Sequence, residues 1–249
     1  MQITHFGIKI KDKSSNYINK ESFISSKPEG MVGWNESHYE AQRQKASLNY
    51  DLNMRFFNTL NHNEFDEYTK KLYKKFGLKE CIDLKSLDNV SGLYILILDK
   101  HKQLYIGQSN NIKKRIQQHW NRNMSLERLI FGTIIDSIIS IDCFGALDTS
   151  RIYYIETTNS NLLYNLEEKV VSFTDIKYLL NRTAGGIGSP SSYTLDKKDA
   201  LISIVANKTK RNYVNLITKD EIHKLQQIIS EDEFNTWYLS KYPELSNIN

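Results

Sequence analysis

The chain has 249 residues, 40% of them hydrophobic and 25% charged, with 15 Tyr and 10 Phe, which is ample material for a buried core. Only 3 Pro and 11 Gly occur, which excludes collagen-like, Pro-rich and low-complexity character. The net charge of +4 permits a polyanionic partner without requiring one.

The charge is concentrated. Between Lys100 and Arg128 seven cations (Lys100, Lys102, Lys113, Lys114, Arg115, Arg122, Arg128) stand against one acid, Glu127, a local excess larger than that of the whole chain. A solvated face is the plain alternative to a nucleic-acid surface. Cys81 and Cys143, the two cysteines, form neither a disulfide framework nor a zinc-ligand spacing. Met1 to His5 carry no charged-then-apolar leader, and the longest apolar run, Leu93 to Leu98, is too short to span a bilayer. A cytoplasmic protein without a membrane span is the expectation.

In chain order, Ile3 to Ile10 alternates as one short strand would, and a polar loop follows to Gly33. Glu36 to Leu60 reads as helix, and a second helix from Glu64 to Phe76 ends at Gly77. Leu93 to Leu98 is dense in β-favouring residues, Asp99-Lys100-His101-Lys102 supplies a turn, and Gln103 to Gly107 pairs back. Ser109 or Asn110 stands where the N-cap of a helix through Ile112, Ile116 and Trp120 is expected. Ser140 to Phe144 and Arg151 to Ile155 both read as strands, and a helix runs from about Leu163 to Tyr178. Beyond Thr194 the pattern is helical, with capping boxes at Thr218-Lys219-Asp220-Glu221 and Ser230-Glu231-Asp232-Glu233.

The chemistry sits in the middle. Gly92-Leu93-Tyr94 and Tyr105-Ile106-Gly107 are separated by the ten residues Ile95 to Leu104, and Ser109, Asn111, Arg115 and His119 follow. A hairpin joining the two triplets can bring Tyr94 and Tyr105 together on one face, and glycines beside them leave room for a phosphate to approach. Arg115 and His119 are one helical turn apart and can both lean toward that sheet. Arginine suits the charge that builds on a phosphate undergoing attack, because its fork bonds two oxygens at once. Singly, a strand tyrosine is more often core than catalytic, and a helix Arg or His is more often surface. Only the ordered set argues otherwise.

This set, over roughly Val90 to Gly186, resembles the GIY-YIG nuclease superfamily. The resemblance implies an α+β fold, a small antiparallel β-sheet flanked by helices, here with mainly helical N- and C-terminal additions. The corresponding segments are 1–87, 88–188 and 189–249. It also implies a metal-dependent endonuclease that hydrolyses phosphodiester bonds, with Tyr94, Tyr105, Arg115 and His119 as catalytic candidates and a helix-borne glutamate as ligand for Mg²⁺ or Mn²⁺. Glu167 and Glu168 both qualify. With about 100° per residue counted from Leu166, Glu167 falls at about 100°, on the edge of the face holding Val170 and Phe173, and Glu168 at about 200°, pointing away. Glu167 is preferred, Glu168 is the fallback, and Glu156 is a third choice. Asn181 matches the family's closing asparagine.

Candidate phosphate contacts are Gly107, Ser109, Lys113, Lys114, Asn181 and Arg182, with Lys210 and Arg211 in a C-terminal loop. The expected partner is nucleic acid, DNA before RNA, in a restriction-like or mobile-element setting, since extra mass on both sides resembles elaborated cutters. One compact site makes one nick, so double-strand cleavage calls for a homodimer or sequential events. The reading from a different class is a silenced nucleic-acid-binding module on a nuclease scaffold.

Overall fold

The computed structural model describes residues 2–25, 36–121, 139–157 and 159–181. The C-terminal helices and capping boxes expected beyond Thr194 lie outside these residues, as do Arg182, Lys210 and Arg211.

The centre is a four-stranded antiparallel sheet built from β3 (Lys79–Glu80), β4 (Gly92–Leu98), β5 (Gln103–Ser109) and β6 (Arg151–Glu156), in the order β3-β6-β4-β5. All seven residues of β4 are buried, which explains its unbroken apolar run: a central strand covered on both faces needs no alternation. The β4–β5 turn is the expected Asp99-to-Lys102 segment, a 3-10 turn over Asp99–His101 closed by Lys102 at φ 50°. Its register pairs Leu96 with Tyr105 and Tyr94 with Gly107. Paired residues share a face, so Tyr94 and Tyr105 lie diagonally adjacent on one side of the sheet.

Helix α2 (Glu36–Thr59) and helix α3 (His62–Phe76) precede the sheet in the chain. Asn61 starts α3 by accepting the N–H groups of Asn63 and Glu64, and Gly77 ends it in the left-handed region at φ 63°. The ring of Tyr73 in α3 stacks on Tyr153 of β6 at 5.3 Å, and Phe65 meets Tyr178 at 5.0 Å. Arg151 bonds both carboxylate oxygens of Asp99 and also reaches Asp66 of α3 at 3.1 Å. The described residues before Leu87 thus share one apolar core with the sheet and supply its edge strand β3.

Five expectations change, the last at the start of the helix after β5. The alternating segment at the start is a hairpin, β1 (Gln2–His5) and β2 (Ile8–Lys11), turned by Phe6 and Gly7 at φ 44° and 70°. Phe6 then stacks on Trp120 at 6.3 Å. Part of the polar loop that follows is helix α1 (Lys20–Ser25). Ser140 to Phe144 is no strand. Ile141–Cys143 form a 3-10 turn started by Ser140, and the buried pair Ile141 and Phe144 has the three-residue spacing of that turn. The helix expected from Leu163 to Tyr178 is α5 (Ser160–Phe173) as numbered here, stopped where the Thr174 hydroxyl donates to the Val170 carbonyl at 2.7 Å.

The helix after β5, α4, spans Ile112–Asn121. Its cap is Asn111, whose side chain accepts from Lys114 N at 2.9 Å, one position later than Asn110. No helix among the described residues is long and apolar enough to cross a membrane.

Candidate active site

The helix and turn residues described above converge on a cavity of about 310 Å³ over the tyrosine-bearing face of the sheet. It is walled by Tyr94 of β4, Tyr105, Gly107 and Gln108 of β5, Arg115 and His119 of α4, Ser140 to Asp142 of the 3-10 turn, Glu167 of α5, and Leu180 with Asn181.

The rings of Tyr94 and Tyr105 are 6.2 Å apart, and His119 sits edge-on to Tyr105 at 5.1 Å. His119 is buried because it follows Ile112 and Ile116 on the inner side of α4. Its Nε2 lies 2.8 Å from the Tyr94 hydroxyl and its Nδ1 lies 2.6 Å from Asp142 Oδ1. Arg115, one turn earlier, lines the same cavity beside Tyr94 and Tyr105, and its guanidinium reaches Gln118 Oε1 at 3.4 Å.

The electrostatics follow from this packing. Burial, reinforced by Tyr105, drives the Tyr94 phenol well above its ordinary value of 10, against the opposing pull of Arg115. Burial pushes Tyr105 up to about 12, again with Arg115 opposing. For Arg115, burial works against its charge, yet the neighbouring phenols outweigh it and the guanidinium is held more firmly protonated. A buried and a half-buried phenol, both neutral, beside a fixed cation make a place where a developing negative charge is stabilised more than in water.

The two candidate glutamates separate cleanly. Glu167 is 6% exposed and lines the cavity, whereas Glu168 is exposed. The buried stripe of α5 is Leu163, Glu167, Val170, Val171 and Thr174, which puts Glu167 at the centre of the inner face and not on its edge. Glu156 is exposed at the end of β6, outside the cavity. Among the described residues no group of three or more His, Cys, Asp or Glu could enclose a metal ion. A single buried carboxylate such as Glu167 is what an ion that keeps most of its waters, Mg²⁺ for example, would take from the protein, the rest of its shell coming from water and substrate phosphate.

The candidate phosphate contacts fall in different places. The missing side chain of Gly107 makes room for a ring: a Cβ there would stand 2.5 Å from the Tyr94 hydroxyl oxygen. Gly92 likewise makes room for β6, since its Cβ would lie 2.1 Å from the Ile155 carbonyl oxygen. The Ser109 hydroxyl donates to Asn111 O and accepts from Asn111 N, bracing the turn into α4. Lys113 pairs with Asp88 at 2.6 Å, and Lys114 is exposed. Neither lysine lines the cavity.

Asn181 does line it, but its amide brackets the backbone of Ile106, accepting from N at 2.9 Å and donating to O at 2.7 Å. Together with Leu180 N donating to Leu104 O, this sews residues 179–181 along the free edge of β5.

Asp142 was missed by the sequence reasoning. It had a signal: a lone acid between Ile139, Ile141 and Phe144, all of them buried, needs a partner. Gln108 and Ser140 carried no comparable mark.

The comparison with known families agrees with the resemblance seen in the sequence. Residues 90–142 match the family model described as the GIY-YIG catalytic domain, which supports the resemblance to the GIY-YIG nuclease superfamily over that stretch. The matched stretch contains both tyrosines, Arg115, His119 and Asp142. No curated protein and no solved structure matches the chain.

Proposed function

We propose that the chain is a metal-dependent endonuclease that hydrolyses phosphodiester bonds in DNA, in the setting of a restriction or mobile-element enzyme. The observation that carries this is the convergence on one cavity of Tyr94, Tyr105, Arg115 and His119, all from the segment matched by the nuclease family model, with Glu167 of α5.

Glu167 is the residue to hold Mg²⁺ or Mn²⁺, which when bound supplies charge that neutralises the scissile phosphate and the leaving oxygen. The chain supplies the proton path. A phenol raised by burial is a poor base by itself, so Tyr94 needs an acceptor for its own proton, and His119 Nε2 stands 2.8 Å away. As water attacks phosphorus, its proton passes to the Tyr94 oxygen while the phenolic proton passes to His119. The new P–O bond forms as the bond to the leaving oxygen breaks, and His119 later returns the proton to solvent or to that oxygen. Arg115 braces the charge that builds on the phosphate and holds the two phenols in place.

The test is incubation of the purified chain with supercoiled plasmid in Mg²⁺ and in EDTA. Nicked or linear product that requires the cation supports the reading. Retained DNA binding without cleavage contradicts it and favours a silenced binding module. A preference for RNA would keep the chemistry and change the substrate.

A further inference from the structure

We propose that Asp142 is a positioning residue that fixes the tautomer of His119, so that Nε2 is a proton acceptor for Tyr94. The proposal rests on the nuclease reading and goes beyond it by assigning a residue to the proton path.

The argument is one of hydrogen-bond inventory. A carboxylate accepts and does not donate, so the 2.6 Å contact between Asp142 Oδ1 and His119 Nδ1 places the imidazole proton on Nδ1. That leaves a lone pair on Nε2, which then accepts the Tyr94 O–H at 2.8 Å. In the opposite tautomer Nε2 would carry a proton of its own, and Tyr94 would have nowhere to send its own. All three groups are buried, at 8%, 2% and 0% exposure for Asp142, His119 and Tyr94, so water offers little substitute.

The fold holds Asp142 for this purpose from two sides. Ser140 Oγ accepts from Asp142 N, and Ile141 and Phe144 anchor the 3-10 turn in the core. When Tyr94 passes its proton to Nε2, the imidazolium that forms is hydrogen-bonded to a carboxylate already in place.

The experiment compares wild type, Asp142→Asn and Asp142→Glu in plasmid cleavage, with histidine tautomers read by ¹⁵N NMR on the full chain and His119 assigned through His119→Gln. An amide donates to Nδ1, reverses the tautomer and leaves the shape intact. Holding a histidine in its working tautomer is worth up to about 10⁴-fold in rate, so Asp142→Asn is expected to lower kcat by roughly 10²–10⁴-fold with KM for DNA near wild type. Asp142→Glu should recover part of the loss, and wild-type His119 should show the Nδ1–H tautomer.

An Asp142→Asn enzyme with wild-type kcat, or a wild-type His119 in the Nε2–H form, overturns the proposal. The NMR result decides the matter even when the asparagine variant does not fold. If wild type cuts no nucleic acid, the nuclease reading fails and takes this assignment with it. If wild type cuts and Asp142→Asn matches it, this assignment alone fails.

Discussion

Replacing Gly107 by alanine is the sharpest perturbation of the site that leaves every polar group in place. The added Cβ would stand 2.5 Å from the Tyr94 hydroxyl oxygen, 2.6 Å from its Cζ and 3.0 Å from Tyr105 Cε1. Carbon contacts are comfortable near about 3.5–4.0 Å, so the Tyr94 ring must retreat by about 1 Å. Buried on the central strand and hydrogen-bonded to His119, it can do so only by disturbing that packing and leaving its place beside the imidazole. Overpacking of this kind costs about 1–3 kcal/mol, which for a chain of this size lowers Tm by roughly 2–12 °C.

The catalytic effect should be larger. A displacement of about 1 Å separates the Tyr94 hydroxyl from His119, and misplacement on that scale costs about 10²-fold in rate. Initial rates of plasmid nicking and a thermal melt measure the two effects on the same sample. Gly77→Ala is the control: nothing lies within 4 Å of its Cβ, so only the strain of φ 63° is felt, about 1 kcal/mol, with cleavage unchanged. A Gly107→Ala protein that melts and cuts like wild type would refute the view that this glycine exists to admit the Tyr94 ring.

Two further outcomes concern stability and pH. Asp148 accepts from Ile18 N at 2.6 Å and Gly145 N at 2.9 Å and pairs with buried His101 at 3.1 Å; Asp148→Ala should therefore cost about 3–5 kcal/mol in urea unfolding, and a cost under about 1 kcal/mol would contradict its role as a buried tie. For Tyr105 the folded state keeps its phenolic proton up to about 12, while the unfolded chain loses it near 10, so the unfolded state binds fewer protons in between. The stability this gives is complete below pH 10 and is lost as pH rises toward 12. Tyr105→Phe should lose less stability than wild type across that window, and equal losses would show that the phenol is not held neutral by burial.

Much of the sheet was written in plain periodicity. The all-apolar run of β4, the turn at Asp99 to Lys102 and the α3 stop at Gly77 each depend on local chemistry that a sequence displays. The elements that changed depend on distant partners. Whether Ile3 to Ile10 is one strand or a hairpin turns on Phe6 finding Trp120, and whether Ile141 and Phe144 alternate or share a face turns on the core beneath them. The site shows the same division. Tyr94, Tyr105, Arg115 and His119 stand out as an ordered set, but the reason for Gly107 is the ring of Tyr94, distant in sequence and opposite it only once β4 pairs with β5. The wheel anchored on Leu166 and Phe173 put Glu167 at an edge because Phe173 is in fact 37% exposed; the buried stripe is centred elsewhere. Asp142 became meaningful only when the turn carried it to His119.

The most direct test of the central claim, that this cavity is a metal-dependent nuclease centre, is the rate of plasmid nicking in Mg²⁺ by wild type, Arg115→Ala, Glu167→Ala and Glu168→Ala. Wild type and Glu168→Ala should cut at similar rates, while Arg115→Ala and Glu167→Ala lose cleavage by roughly 10²-fold or more. Full activity in Glu167→Ala with its loss in Glu168→Ala would contradict the assignment of the buried carboxylate, and full activity in Arg115→Ala would contradict the site itself.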